Sequence, residues 1–409
     1  MKNRIIIFLA SVFLGAALYS CSEEQVGQTS TDSTPPGKIT SPTVVPLPGG
    51  ARISYTLPAD NDLLYVKAVY YINGEEKTDA STLYNNSVEV VGFGSTDEQS
   101  VWLYCVDRSG NYSEGVEVKF RPDTPPHLLI RETMEMFAGF GGVQILWKNQ
   151  NKTPVAIYLL AADSIGDIQV ADVVYTNAVN GKFNLRGFDD SERFFGVYVR
   201  DRWNNYSDTL KGIFSPYFEK EISKPFRANA LYGDDHTAFS SAFAFSRLWN
   251  NITLDNGWVH YPHNMALPYY TFTIDLQVTA KLSRFKIWQR QILNGNSLDY
   301  IYHESQNPRK FQVYGAAVLS TSTDNEYWLN GWKNDWSLLA DCEIIKPSGP
   351  QVGVTQEDID AALEGHEFDF SMDAPPVRFI RINIESIWYG PLVDAYNISE
   401  LSFWGKVNE

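Results

Sequence analysis

Hydrophobic and polar positions divide the chain into three stretches. Residues 5–19 form one apolar run broken only by Ser11, and the positive Lys2 and Arg4 precede it. Residues 21–37 are rich in Ser, Thr, Gln and Pro and show no apolar period, which predicts a flexible tether. Beyond it, short runs alternate apolar and polar: 116–120, 195–199, 270–276, 282–288, 311–315, 377–384 and 398–405. A period of two sends successive side chains to opposite faces of a strand. Clusters of Gly, Asn and Pro between the runs supply the turns of antiparallel sandwiches. One helix is predicted, over residues 359–363, with Thr355 to Asp358 at its capped start and Gly365 at its stop.

The alternating stretch contains a repeat. The segment YCVDRSGNYSE at residues 104–114 returns as YVRDRWNNYSD at 198–208, 94 residues later. Upstream, GARISY at 50–55 pairs with GVQILW at 142–147, an offset of 92. A nearly constant offset at both ends marks two tandem copies of one module. Asp107 and Asp201 are placed to close an Asx-turn on the backbone, with a calcium or sugar ligand as the other use of these carboxylates. The Pro-rich junctions at 35–36 and 122–126 favour a semi-rigid rod.

Composition then narrows the class. Of 409 residues 44% are apolar, 14% aromatic and only 20% charged, which excludes a disordered chain. The net charge of −16 argues against nucleic acid as a partner, since that needs a basic face. Beyond Cys21 the chain has two cysteines, Cys105 and Cys342, each in an apolar context and in different predicted domains; both are expected to be buried small hydrophobes. No Gly-x-Ser-x-Gly elbow, His-Glu-x-x-His or phosphate-binding loop occurs, so no enzyme is expected.

The N-terminal run is too short for a confident membrane span and reads as a secretory signal, residues 1–20. Its end, Leu18-Tyr19-Ser20-Cys21, resembles a bacterial lipobox with Tyr19 in the place of the usual small residue. The resemblance implies lipidation at Cys21, membrane attachment through acyl chains alone, and a net charge of −18 once Lys2 and Arg4 are removed. Ser22-Glu23-Glu24 resembles the acidic export signal that sends lipoproteins to the outer face in Bacteroidetes-type bacteria.

The two repeats, at 38–121 and 122–214, resemble fibronectin type III-like modules. From about Phe226 the order is a Trp-rich loop, an Asp-Leu strand, Phe285-Lys286-Ile287-Trp288, Phe311 to Gly315, Arg378 to Arg381 and the terminal Glu400 to Gly405. This order resembles a discoidin-like (coagulation-factor type C) jelly roll over residues 215–409. The whole resembles a Bacteroidetes surface-lipoprotein family found beside starch-utilization-type transporters. The expected fold is all-β, with two fibronectin-like sandwiches followed by the discoidin-like head. The resemblance implies an outer-membrane lipoprotein that binds polysaccharide without cleaving it, its sandwiches serving as spacers. Implied partners are a TonB-dependent transporter and its starch-utilization-type surface lipoprotein. The alternative is an interaction protein that docks that complex or a host ligand and touches no sugar.

Sugar recognition needs flat aromatics for the apolar CH faces and planar polar groups for the hydroxyls. Three loops of the head supply both: Trp258, His260 and Tyr261; Arg290, Asn296 and Tyr300 within 290–303; and Trp388 with Tyr389. Trp288 and Trp404 fall inside strand patterns and are assigned to the core. Trp328, Trp332 and Trp336 either cover a sheet edge or extend the binding face. The His260-x-x-His263 pair lacks a third ligand for zinc. The discoidin-like resemblance implies a structural calcium between the Asn250 loop and Glu400, with Asn250 where a carboxylate is usual.

Overall fold

The structure is a computed structural model that describes residues 33–237, 240–253, 259–262, 267–290, 302–388, 390 and 395–408. The signal run, Cys21, most of the tether, Trp258, His263, Asn296, Tyr300 and Tyr389 lie outside the described residues.

The chain is an all-β series of sheets. The first sandwich comprises β1 (Thr40–Leu47), β2 (Gly50–Thr56), β3 (Leu63–Ile72), β4 (Glu75–Thr82), β5 (Ser87–Val91), β6 (Gln99–Asp107) and β7 (Val116–Phe120). A three-stranded sheet in the order β1-β2-β5 faces a four-stranded one, β4-β3-β6-β7. Ile53, Val66, Leu103 and Cys105 are among the fully buried side chains between them. A short helix, α1 (Pro126–Glu132), leads into β8 (Glu135–Gly139), β9 (Gly142–Lys148), β10 (Val155–Ala162), β11 (Ile168–Thr176), β12 (Asn180–Leu185), β13 (Arg193–Asp201) and β14 (Leu210–Phe214). These repeat the pattern as β8-β9-β12 and β11-β10-β13-β14, closing over Ile145, Ile157, Phe195 and Val197.

The repeated signature forms the same turn in both copies. Asp107 Oδ1 accepts the Asn111 amide at 2.9 Å, and Asp201 Oδ1 accepts the amides of Trp203 at 2.8 Å and Asn205 at 2.9 Å. These are the Asx-turns expected of the two aspartates. Asn205 then reaches outward, its Nδ2 donating to the Gly92 carbonyl of the first sandwich at 2.9 Å.

The head contains β15 (Lys220–Glu221), β16 (Arg227–Ala228), β17 (Val259–Pro262), β18 (Tyr270–Trp288), β19 (Pro308–Ala316), β20 (Ser337–Glu343), β21 (His366–Asp369), β22 (Val377–Ile387), β23 (Ala395–Ile398) and β24 (Glu400–Val407). The main sheet runs β15-β24-β18-β22-β19-β20, with β16 and β21 also paired to β18, and β17 pairs with β23. The long β18 serves several partners because its register breaks between Asp275 and Ala280, where the strand bends. Phe272, Phe285, Phe311, Ile382 and Phe403 are fully buried in the large core. Each such side chain contributes about 1.5–3 kcal/mol on leaving water. The one predicted helix is present as α2 (Gln356–Glu364), with a Thr355–Asp358 capping box and Gly365 at φ 87° beyond its end. Cys105 and Cys342 are both buried free thiols.

Two tryptophan assignments change. Trp288 and Trp404 are only half-buried, because the alternation sends Phe285, Ile287, Leu401 and Phe403 inward and leaves the indoles on the other face. There the Arg284 guanidinium lies 4.0 Å from the Trp404 ring, and Trp288 Nε1 donates to the Leu363 carbonyl at 3.2 Å. Trp328, Trp332 and Trp336 resolve toward packing: with Tyr314 and Ala316 they make a second small core over the sheet.

Candidate functional site

The three sequence-predicted loops are far apart in the chain, and their anchoring residues meet at one end of the head. The Trp388 amide donates to the Asn307 carbonyl at 3.1 Å, and the Asn397 amide to the Gln306 carbonyl at 3.0 Å. The Arg290 amide donates to Asn307 Oδ1 at 2.8 Å. His260 and Tyr261 stand in register with Asn397 and Tyr396 through the β17–β23 pairing. So the strand carrying His260, both ends of the 290–303 loop and the strand exit at Trp388 share one rim; the His260 and Tyr261 side chains lie outside the described residues.

Trp388 is half-buried, and its surroundings come from four elements. The His303 ring meets it edge-on at 5.5 Å, and the Arg309 guanidinium lies 5.1 Å from its centroid. His366, from β21, stands 5.1 Å from His303. Burial lowers the His303 imidazole to about 4 and the His366 imidazole to about 3, so both are neutral at physiological pH. Burial likewise lowers the Arg290 guanidinium to about 10. The Trp388 indole N–H, both His303 ring nitrogens and the Gln289 side-chain amide nitrogen are buried and have no hydrogen-bond partner among the described residues. The rim thus presents a half-buried indole ring backed by two neutral imidazoles and a guanidinium. Tyr302, in contrast, is buried and belongs to the packing.

Sequence reasoning did not single out His366 or Arg309. They reach the rim from β21 and the start of β19, and no local pattern distinguishes them from ordinary strand residues.

The implied calcium does not fit. Glu400 is buried, and its carboxylate bonds the Lys224 ammonium. That ammonium also donates to Ser402 Oγ at 2.7 Å and Asn251 Oδ1 at 3.1 Å. Asn250 offers its backbone N–H to Glu400 at 3.2 Å, while its Oδ1 accepts the Ile252 amide at 2.9 Å. The Lys224 ammonium, shared by Glu400 and by Glu221 at 3.6 Å, already supplies the cation at this carboxylate, and Asn250 turns its Oδ1 to the Ile252 amide rather than toward Glu400. Among the described residues no group of three or more His, Cys, Asp or Glu side chains is placed to hold a metal. Among them, too, no helix is long and apolar enough to cross a membrane.

Three family models match, all described as domains of unknown function: DUF4959 at residues 36–122, DUF5126 at 123–225 and DUF5000 at 248–405. No curated protein matches the chain. Among solved structures, the chain is 30% identical to SusE-like protein BT2857, over 69% of this chain and 100% of that one, with a TM-score of 0.42. It is 13% identical to the module CBM32-3 from a family 31 glycoside hydrolase of Clostridium perfringens, over 44% of this chain and 91% of that one, with a TM-score of 0.28. A two-domain fibronectin type III segment from chicken tenascin matches at 11% identity, over 44% of this chain and 99% of that one, with a TM-score of 0.21. At those TM-scores the last two carry no argument. The first match spans the whole of its relative at substantial identity, and the chain accordingly belongs to the SusE-like family of non-catalytic β-sandwich surface proteins associated with polysaccharide utilization in Bacteroidetes.

Proposed function

We propose that this protein is a lipid-anchored outer-membrane receptor that holds a polysaccharide at the cell surface without cleaving it. Cys21 carries the lipid, residues 21–37 form the tether, and the modules at 38–121 and 122–214 are spacers. The head, residues 215–409, is a discoidin-like jelly roll. The convergence of three loop anchors around Trp388 carries this reading. Trp258, His260, Tyr261, Arg290, Asn296, Tyr300, Trp388 and Tyr389 are the ligand-facing candidates. The partners are a TonB-dependent transporter and its starch-utilization-type surface lipoprotein, to which captured glycan is passed. A shallow site gives weak single-site affinity, which polymer length and many tethered copies raise.

The test is electrophoresis of residues 22–409 through gels cast with plant, host and microbial polysaccharides, with parallel assay for released reducing sugar. Retardation on one glycan class, lost in Trp388→Ala, supports the reading. No retardation on any of them refutes it for those glycans. A second reading, in which this rim docks the transporter complex, draws on the packing of Trp388 by His303 and Arg309, which covers part of the ring. Co-purification with the transporter that survives Trp258→Ala but not surface charge reversal around Arg309 favours it.

A further inference from the structure

The four-stranded sheet of the second sandwich turns an aromatic face to solvent. Tyr158 and Tyr198 are cross-strand partners in register, stacked with centroids 4.9 Å apart and planes 3° apart. The Arg200 guanidinium lies 4.9 Å from the Tyr158 centroid, and Tyr206 flanks Tyr198 at 6.1 Å. One row further along the same face, Ala156 is in register with Tyr175 on one side and Arg200 on the other. The small alanine between two large side chains leaves a depression. A cleft of about 400 Å³ results, lined by Pro154, Ala156, Tyr175, Asn177, Arg200 and Arg202 among others. That size falls within the range of small-ligand sites. Tyr175 is 74% exposed and forms its open wall.

Charge makes the cleft specific. The chain carries 49 acids against 33 bases, yet among the described residues neither Arg200 nor Arg202 makes a salt bridge. Asp201 between them points inward, its carboxylate taken up by the turn at Trp203 and Asn205. Among the described residues the two guanidinium groups at the cleft thus have no salt bridge; that of Arg202 lies over the Trp203 ring at 4.1 Å, and Asp201 borders the cleft with its carboxylate taken up by the turn.

The first sandwich supplies an internal comparison. Its equivalent row is Thr82, Tyr65 and Val106, read from the same strand pairings. There a tyrosine fills the place of Ala156, a valine replaces Arg200 and a threonine replaces Tyr175. The first copy also has a cleft on this sheet, of about 460 Å³, but it is lined by Tyr65, Lys67, Asp79 and Thr82 and has no guanidinium, so what is particular to the second copy is the set Ala156, Tyr175 and Arg200.

From this we infer that the second sandwich is itself a ligand-binding module whose cleft takes a uronic-acid residue of an acidic saccharide. A pyranose presents an apolar CH face that stacks on a tyrosine ring. Its carboxylate matches a guanidinium fork in a bidentate pair. Tyr175 provides the ring, Arg200 and Arg202 the forks, and Asn177 an amide for a hydroxyl. The cleft is open along the sheet, which leaves room for the polymer on either side. The inference stands independently of any site on the head.

The test is titration calorimetry on residues 22–409 with tetragalacturonate, a neutral galactose tetramer and a glutamate tetrapeptide at low ionic strength. Tetragalacturonate is expected to bind, with affinity falling as salt rises, while the neutral tetramer and the peptide bind at least about tenfold more weakly. Tyr175→Ala and Arg200→Gln each weaken binding about tenfold, and Tyr84→Ala, at an exposed tyrosine of the first sandwich, leaves it unchanged. Ala156→Tyr, which reproduces the first copy, abolishes it. Calorimetric melting of each variant confirms that it is folded. The inference is overturned by no binding of the uronate, by equal binding of the neutral or peptide probe, or by binding insensitive to all three cleft variants. Loss of uronate binding in Trp388→Ala alone also overturns it and places the site on the head.

Discussion

Lys224 and Glu400 permit a sharp test of how the head is held together. Their side chains are 9% and 1% exposed and lie 176 residues apart in the chain. Replacing Lys224 with methionine preserves the stem and deletes the charge, leaving Glu400 with the Asn250 backbone N–H as a remaining donor. An uncompensated buried carboxylate of this kind costs about 3–5 kcal/mol. Burial already raises the Glu400 carboxyl above its ordinary value, and the lysine opposes that rise. Without the lysine it climbs further, so the folded state of the variant holds a proton that the unfolded state has released. Stability of Lys224→Met relative to the parent therefore falls as pH rises from the unfolded carboxyl value, about 4.3, through the raised folded value. The loss is largest at pH 8 and smaller at pH 5. Urea unfolding followed by tryptophan emission reads this region, since eight of the eleven tryptophans lie from Trp249 onward. With m of about 2 kcal/mol/M, the midpoint drops about 2 M at pH 8. Lys224→Met combined with Glu400→Gln recovers more than half of the loss, because the charge that needed a partner is gone. Three results refute the reasoning: a loss below about 1 kcal/mol at pH 8, a loss equal at both pH values, or a wild-type midpoint raised by calcium.

Other consequences are as direct. Asp201→Ala removes acceptors for the Trp203 and Asn205 amides and for Asn205 Nδ2 at 2.8 Å; it should cost the second sandwich about 2–3 kcal/mol by calorimetry. Burial pushes the Cys105 thiol up to about 11 and raises Cys342 as well, so an aromatic disulfide reagent should label neither in the native protein and both in guanidinium. His303 and His366 are depressed to about 4 and about 3, so between those values and 6.5 the unfolded state binds more protons. Their contribution to head stability is complete above pH 6.5 and is lost as pH falls toward 4, and His366→Phe should flatten that slope in urea titrations at pH 5 and 7.5.

What the sequence disclosed was local. The 94-residue offset foretold two copies with one strand order, because register and turn chemistry are written in adjacent residues. The capping box at Thr355 and the Asx-turns at Asp107 and Asp201 were legible for the same reason. Strand phase was less so: Trp288 and Trp404 look like core residues until the pairing shows which face each row takes. Pairings distant in sequence were not legible at all. Lys224 with Glu400, and buried Arg381 with Asp234 at 2.7 Å, lie on strands and loops that only the sheet order brings together. His366 and Arg309 reach the candidate rim in the same way. The missed chemistry thus falls where a charge or ring is given its neighbours by topology.

The repeated turn has a second use that bears on how ligand sites are displayed. In the second copy Asn205 bonds the Gly92 carbonyl, and Asn73 Nδ2 returns bonds to the Trp203 carbonyl at 3.0 Å and Asn205 Oδ1 at 3.1 Å. Gly92 is required there: its φ is +106°, and a Cβ would stand 2.8 Å from the Trp203 ring. Between second sandwich and head, Arg186 bonds Glu219 at 2.8 Å and also Asp369, while Arg284 shares Glu219 at 3.2 Å. Isolated surface pairs contribute little, but Glu219 is only 7% exposed and is held by two guanidinium groups. Neither junction is left to swivel. If the cleft at Tyr175 and the rim at Trp388 both take saccharide, their fixed separation sets a minimum oligomer length above which one chain spans both and apparent affinity rises steeply. Arg186→Ala combined with Lys182→Ala and Asn184→Ala removes the side-chain bonds from the second sandwich to Glu219 and Asp369 without touching either site. It should leave short-oligomer affinity unchanged and blunt the rise with length; an unaltered length dependence would mean that the two sites do not act on one chain.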